Sequence, residues 1–170
     1  MNKKILITLG ILLGVIVVFA YLNLNDREER VLSQEEAKIF INFEDERVAT
    51  VNFDDMLELA QHEFEVTLRS SSSPNKDNTY KGILMKDLLS KYDINLDDIN
   101  QVITRAADGY TVALTQSEIL DKDNVYIVYK ENGEYLAPRE DGGSGPYQVV
   151  IKQDQFGQRW NKFLMELDVN

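Results

Sequence analysis

From Ile5 to Leu24 the chain carries twenty residues of which only Thr8, Tyr21 and Asn23 are polar. A bilayer crossing takes roughly 20 apolar residues at about 1.5 Å each, whereas a soluble domain of this size has no use for a uniformly apolar helix of that length. Residues 1–24 are therefore expected to form an N-terminal transmembrane helix behind the basic head Met1–Lys4. The alternative is a secretory signal peptide, because Val18 and Ala20 suit the positions before a cut at Tyr21; the length and the bulky Phe19–Leu22 end favour an uncut anchor. Lys3, Lys4 and the α-amino group face Arg27 and Arg30 across the run, so the charge bias is slight. Signal-anchor logic places the acidic body outside the cytoplasm, single-pass at the cell membrane. Secretion after cleavage is the other outcome.

The 146 residues that remain suit one core. Residues 25–36 are charged and read as a stalk or loose helix, and 37–170 as a single domain. The composition, 44% hydrophobic and 28% charged, is globular. Of 18 basic residues, Lys3 and Lys4 belong to the head, leaving 16 against 29 acidic residues in the body. That balance, with no segregated basic patch, excludes nucleic acid as a partner. There is no cysteine, which removes disulfides, thiolate metal ligands and cysteine nucleophiles. The single histidine, His62, reads as a helix-end or surface residue, since zinc or triad chemistry needs more imidazoles.

Periodicity gives an alternation of short elements. Ile39, Ile41 and Phe43 share a strand face, with Val48–Val51 returning across Glu44–Arg47. Asn52 caps a helix with Phe53, Met56, Leu57 and Ala60 at helical spacing. Phe64, Val66 and Leu68 mark a strand that delivers the chain to Arg69 and the serine run Ser70–Ser73, read with Pro74–Asn78 as a long turn-rich loop. Tyr80 and Gly82 lead into a helix carrying Leu84, Leu88, Leu89 and Tyr92. Asp108-Gly109 joins two strands, Val102–Ala107 and Tyr110–Leu114. Thr115-Gln-Ser-Glu118 is a capping box. Val125–Tyr129 and Tyr135-Leu136 flank the turn Asn132-Gly133.

The stretch Arg139–Val169 concentrates the candidate chemistry. Gly142, Gly143, Gly145 and Pro146 allow a backbone that brings its N–H groups close to a ligand or to another segment. A strand Tyr147–Ile151 follows. Phe163, Met165, Leu167 and Val169 alternate with Leu164, Glu166 and Asp168 as a second strand. Between them a polar connection holds Arg159 and ends before Lys162, two cations suited to an anion; the alternative is ordinary solvated charges in a hairpin. Other signatures fail. Gly143-Ser144-Gly145 lacks the spacing of a nucleophile elbow, Glu140-Asp141 and Asp97-Asp98 lack a calcium ladder, no base stands near the serine run, and no phosphate or dinucleotide fingerprint occurs. No metal-ligating set is expected.

Tyr80-Lys-Gly-Ile-Leu-Met-Lys-Asp-Leu-Leu, Ala107-Asp-Gly-Tyr-Thr-Val-Ala-Leu, Val125-Tyr-Ile-Val-Tyr-Lys-Glu-Asn-Gly-Glu-Tyr-Leu, Gly142-Gly-Ser-Gly-Pro-Tyr-Gln-Val-Val-Ile and Gly157-Gln-Arg-Trp-Asn-Lys-Phe occur in that order. Their order and spacing resemble the oxidoreductase molybdopterin-binding domain of the sulfite oxidase family. The resemblance covers Phe64–Val169 and implies an α+β fold of mixed sheets with short helices, holding a molybdenum–pterin cofactor against a loop-rich face. It places the family's metal-binding cysteine at Arg69-Ser70-Ser71, with Ser70 the nearest match, although serine is no substitute for a thiolate. It assigns Arg159 and Lys162 to the pterin phosphate, Gly142, Gly143 and Gly145 to the cofactor loop, and Tyr110 to an active-site aromatic. Molybdopterin is thus the cofactor the resemblance suggests, and the missing cysteine argues against catalysis. The expected function is a non-catalytic, membrane-anchored module for a pterin-like or other anionic ligand, or for a redox partner protein. An active molybdopterin-dependent oxidoreductase and a structural accessory subunit of a membrane redox complex are the alternatives.

Overall fold

The structure, a computed structural model, describes residues 3–69 and 76–170. It opens with one continuous helix, α1 (Lys3–Glu36), followed by β1 (Ile39–Phe43), β2 (Glu46–Val51), α2 (Phe53–Leu57), β3 (His62–Leu68), β4 (Lys76–Leu84) and α3 (Met85–Lys91). Then come β5 (Gln101–Ala106), β6 (Thr111–Thr115), α4 (Gln116–Leu120), β7 (Val125–Glu131), β8 (Glu134–Tyr135), β9 (Gln148–Ile151) and β10 (Leu164–Val169). Two five-stranded sheets result. The first has the order β2-β1-β10-β5-β6; the second runs β3-β4-β7-β8, with β9 also on β7. Both contribute to one apolar core, where Ile39, Ile41, Leu114 and Leu167 of the first sheet join Ile83, Ile127 and Ile151 of the second.

Local signals and local structure agree at the turns. Glu44 and Asp45 take positive φ between β1 and β2, Gly109 does so between β5 and β6, and Asn132 with Gly133 between β7 and β8. The Thr115 hydroxyl accepts from the Glu118 N–H at 3.3 Å while Glu118 accepts from the Thr115 N–H at 2.8 Å, closing the capping box on α4.

Four expectations are corrected. The last two strands are not a hairpin: β9 pairs with β7, whereas β10 pairs with β5 and runs parallel to β1 in the other sheet. The segment after Asn75 is not loop but β4, hydrogen-bonded to β3 on one side and β7 on the other. Its polar sequence hides the strand, and Gly82 permits the pairing, because a Cβ there would lie 2.2 Å from the Ile127 carbonyl oxygen. His62 starts β3 rather than ending a helix, since α2 closes at Leu57 and leaves Ala60 outside. In β10 the register against β5 shifts between Leu164 and Glu166, so Leu164, Leu167 and Val169 are buried while Met165 is exposed; the bulge breaks the simple alternation.

The segment read as a stalk continues α1 and reaches the domain, where Gln34 is buried. Along α1, residues 8–22 are exposed on every side. Among the described residues no helix is long and apolar enough to cross a membrane, so the spanning role of Ile5–Leu24 rests on the sequence.

Candidate functional site

The connection Lys152–Phe163 carries the chain from one sheet to the other and over the aromatic face of the second. The Lys152 ammonium stands 5.4 Å from the Phe64 ring centre, Phe64 stacks on Tyr126 at 4.1 Å, and Trp160 meets Tyr80 edge-on at 5.8 Å. Trp160 is buried and its indole N–H donates to the Ile151 carbonyl at 3.1 Å. Both ends of this crossover are fastened. At the start, the Lys152 and Gln153 N–H groups donate to the Asn124 backbone and side-chain oxygens. At the far end, fully buried Asn161 donates to the Thr104 carbonyl and hydroxyl of β5 at 3.0 and 2.8 Å, while its own carbonyl accepts from Val149 of β9. One residue thereby joins the two sheets beside the site, through its side chain to β5 and its backbone carbonyl to β9.

The glycine loop closes on its own neighbours. Gly142, at φ 72°, donates to the Arg139 carbonyl, Gly143 to Pro138, and Gly145 to Ala137, which accounts for three N–H groups of the supposed cradle. A Cβ on Gly143 would sit 2.0 Å from the Ala137 oxygen. The tight approach that the sequence demands is therefore to residues 136–138 of the same chain. The Ser144 carbonyl accepts from Phe163, so the loop forms a bed for the end of the crossover.

The two sequence-selected cations have different fates. Arg159 donates to Asp154 through Nε and Nη2 at 3.0 and 2.5 Å, and Nη2 also meets Glu118 at 2.8 Å. Bonds to Asp154 and then Glu118 push its guanidinium further up. Burial raises the Glu118 carboxyl, but the Thr115 N–H, Arg159 and the Thr115 hydroxyl outweigh it and hold that group below the usual range. Lys162 is exposed, three residues on, and makes no ion pair among the described residues. Tyr110 donates its hydroxyl to the Gln158 carbonyl at 2.8 Å and so braces the crossover from β6. Ser70 and the rest of the serine run to Pro74 lie outside the described residues.

Lys162 opens onto a cleft of about 370 Å³ between the end of β3 and the crossover. Leu68, Phe156 and Trp160 give it an apolar wall, Gln148 and Gln158 add amides, and Arg69 supplies a second cation. Arg69 also borders a cleft of about 350 Å³ formed by Glu65–Thr67 and Lys152–Gln155. Arg69 makes no ion pair among the described residues. The structure thus brings Lys162 together with Arg69, Phe156 and Trp160, none of which the sequence singled out as binding residues, and sets Arg159 into the supporting wall. A signal for Arg69 existed: it follows the last residue of a strand and precedes the serine run read as a loop, where functional groups concentrate.

One mixed sheet and one antiparallel sheet, joined by a loop-rich crossover with a cleft at its rim, define an α+β domain. Residues 29–170 match the family profile of the oxidoreductase molybdopterin binding domain, and the chain belongs to that family. A comparison with curated protein sequences returns no match. Among solved structures, the sulfane dehydrogenase SoxCD from Paracoccus pantotrophus superposes with a TM-score of 0.65 at 14% identity, over 81% of this chain and 39% of that one. The likeness is one of fold, and the chain spans 39% of the length of that relative.

The residues present do not fit a molybdenum held by a protein thiolate. The chain has no cysteine, and among the described residues no group of three or more His, Cys, Asp or Glu is placed to hold a metal ion. The cleft instead sets Arg69 and Lys162, which make no ion pair among the described residues, against an aromatic wall.

Proposed function

We propose that this domain is a non-catalytic member of its family that binds a small anionic ligand with a flat apolar body, pterin-like in shape, in the cleft between Arg69 and Lys162. The observation that carries the proposal is the pairing of those cations with Trp160 and Phe156 on a chain without a thiolate donor. Paired cations form charge-assisted hydrogen bonds to an oxyanion, and the aromatic wall accepts a planar ring. Nothing in this arrangement calls for electron transfer. The ligand is held, and the surrounding fold is its receptor.

We further propose that Ile5–Leu24 anchors the chain in the cell membrane with the acidic domain outside the cytoplasm. This is supported by the fully exposed apolar surface of α1 over residues 8–22. Helix α1 reaches the domain beside β8, and the cleft lies at β3, the opposite end of the strand order. A ligand would then approach from the aqueous side.

The deciding experiment is titration of the full-length chain with inorganic pyrophosphate, followed by the emission of Trp160, the only tryptophan. Saturable change in the wild type, lost in Arg69→Gln/Lys162→Gln, is expected. Stoichiometric molybdenum in protein purified from its own host, with turnover of an oxidisable substrate, would sink the non-catalytic reading. Anchoring predicts an intact N-terminus in the membrane fraction; a soluble chain beginning at Tyr21 would replace it with secretion.

A further inference from the structure

We infer that Glu118, Arg159 and Asp154 form a latch that sets the width of the cleft, with Arg159 a positioning residue that never touches the ligand; the inference rests on the anion-binding reading above. One guanidinium against two carboxylates leaves Arg159 no net positive charge to offer an anion. The Arg159 Nε and Nη2 donors are already committed to Asp154 and Glu118. Arg69 and Lys162 carry no such neutralising partners among the described residues.

The latch closes a defined gap in the fastening of the crossover. Lys152 and Gln153 are bonded to Asn124, and the Gln153 amide donates to Asp121 at 2.7 Å. Asn161 is bonded to Thr104 and Val149. Between these ends, Gln155–Gln158 arches over Leu68, whose Cδ1 lies 2.6 Å from where a Cβ on Gly157 would stand. Tyr110 braces Gln158 from one side. Arg159 ties the foot of the arch to Asp154 within the crossover and to Glu118 on α4. Trp160 and Lys162, which form one wall of the cleft, hang directly from that tie.

Glu118→Gln separates a positioning role from a direct one by sign. Glutamine still serves the capping box of α4 but surrenders the ion pair. If Arg159 were a ligand to the anion, releasing it from Glu118 would tighten pyrophosphate binding. If the latch positions the wall, binding weakens, by about fivefold for a partly exposed ion pair, and Trp160 emission moves to the red before any ligand is added. The latch also requires that Glu118→Gln and Lys162→Gln be non-additive, since one acts through the other; a general loss of stability would add. Tighter binding in Glu118→Gln, or full additivity, overturns the inference. A wild type that takes no pyrophosphate overturns the anion-binding reading instead, and the latch then stands or falls on the ligand-free emission shift in Glu118→Gln.

Discussion

Two polar segments, Gly142–Pro146 and Lys152–Lys162, attracted the same expectation from sequence and behave oppositely in the fold. The first spends the N–H groups of Gly142, Gly143 and Gly145 on carbonyls of Arg139, Pro138 and Ala137, and its lack of side chains serves close packing. The second is fastened at both ends and leaves Lys162 facing a cleft. Glycines announce a close backbone approach without saying to what. Here the approach is internal, and the open chemistry lies on the segment with fewer glycines.

Substitutions in and beside the two segments test that contrast. The largest effect is expected from Trp160→Ala, which empties a buried aromatic site against Tyr80; about 3–5 kcal/mol of stability should be lost, read by urea unfolding with circular dichroism, together with the cleft wall. Gly143→Ala should follow at roughly 3 kcal/mol, because its Cβ overlaps the Ala137 carbonyl. If the loop were instead an open cradle, the same change would leave stability intact and abolish anion binding.

Tyr147, directly after the glycine loop, is fully buried, and its hydroxyl lies without a well-formed hydrogen bond. Burial pushes its phenol well above the ordinary value. The unfolded chain ionises at about pH 10 while the folded one does not, so the unfolded state binds fewer protons and stability falls as pH rises beyond about 10. Tyr147→Phe should flatten that alkaline fall and change stability at neutral pH by no more than about 1 kcal/mol. An unchanged alkaline limb would show that the phenol titrates normally. The smallest stability effect belongs to Arg69→Gln and Lys162→Gln, within about 0.5 kcal/mol each as surface changes, while pyrophosphate affinity drops; equal loss of stability and affinity would merge the two segments into one structural role.

Much of the local structure was legible. The turns at Asp108-Gly109 and Asn132-Gly133, the capping box at Thr115 and the β1–β2 hairpin all follow from neighbours within a few residues. Strand β4 was not, because Lys76–Thr79 has the composition of a turn, and only β3 and β7 on its two sides make it a strand. The tie through Asn161 was equally silent, since Thr104 is 57 residues away in sequence. For the candidate site, the sequence drew Arg159 and Lys162 alike and did not single out Arg69 or Trp160, which the fold sets beside Lys162.

What the 170 residues determined unaided was the run of short α and β elements, the apolar N-terminal helix and the exclusion of a thiolate ligand, because periodicity, turn chemistry and residue inventory are properties of the chain itself. Which cation is neutralised and which faces a cleft was decided only by tertiary structure. A carboxylate quenches a guanidinium by distance in space, and Glu118 stands 2.8 Å from Arg159 across forty-one positions of sequence.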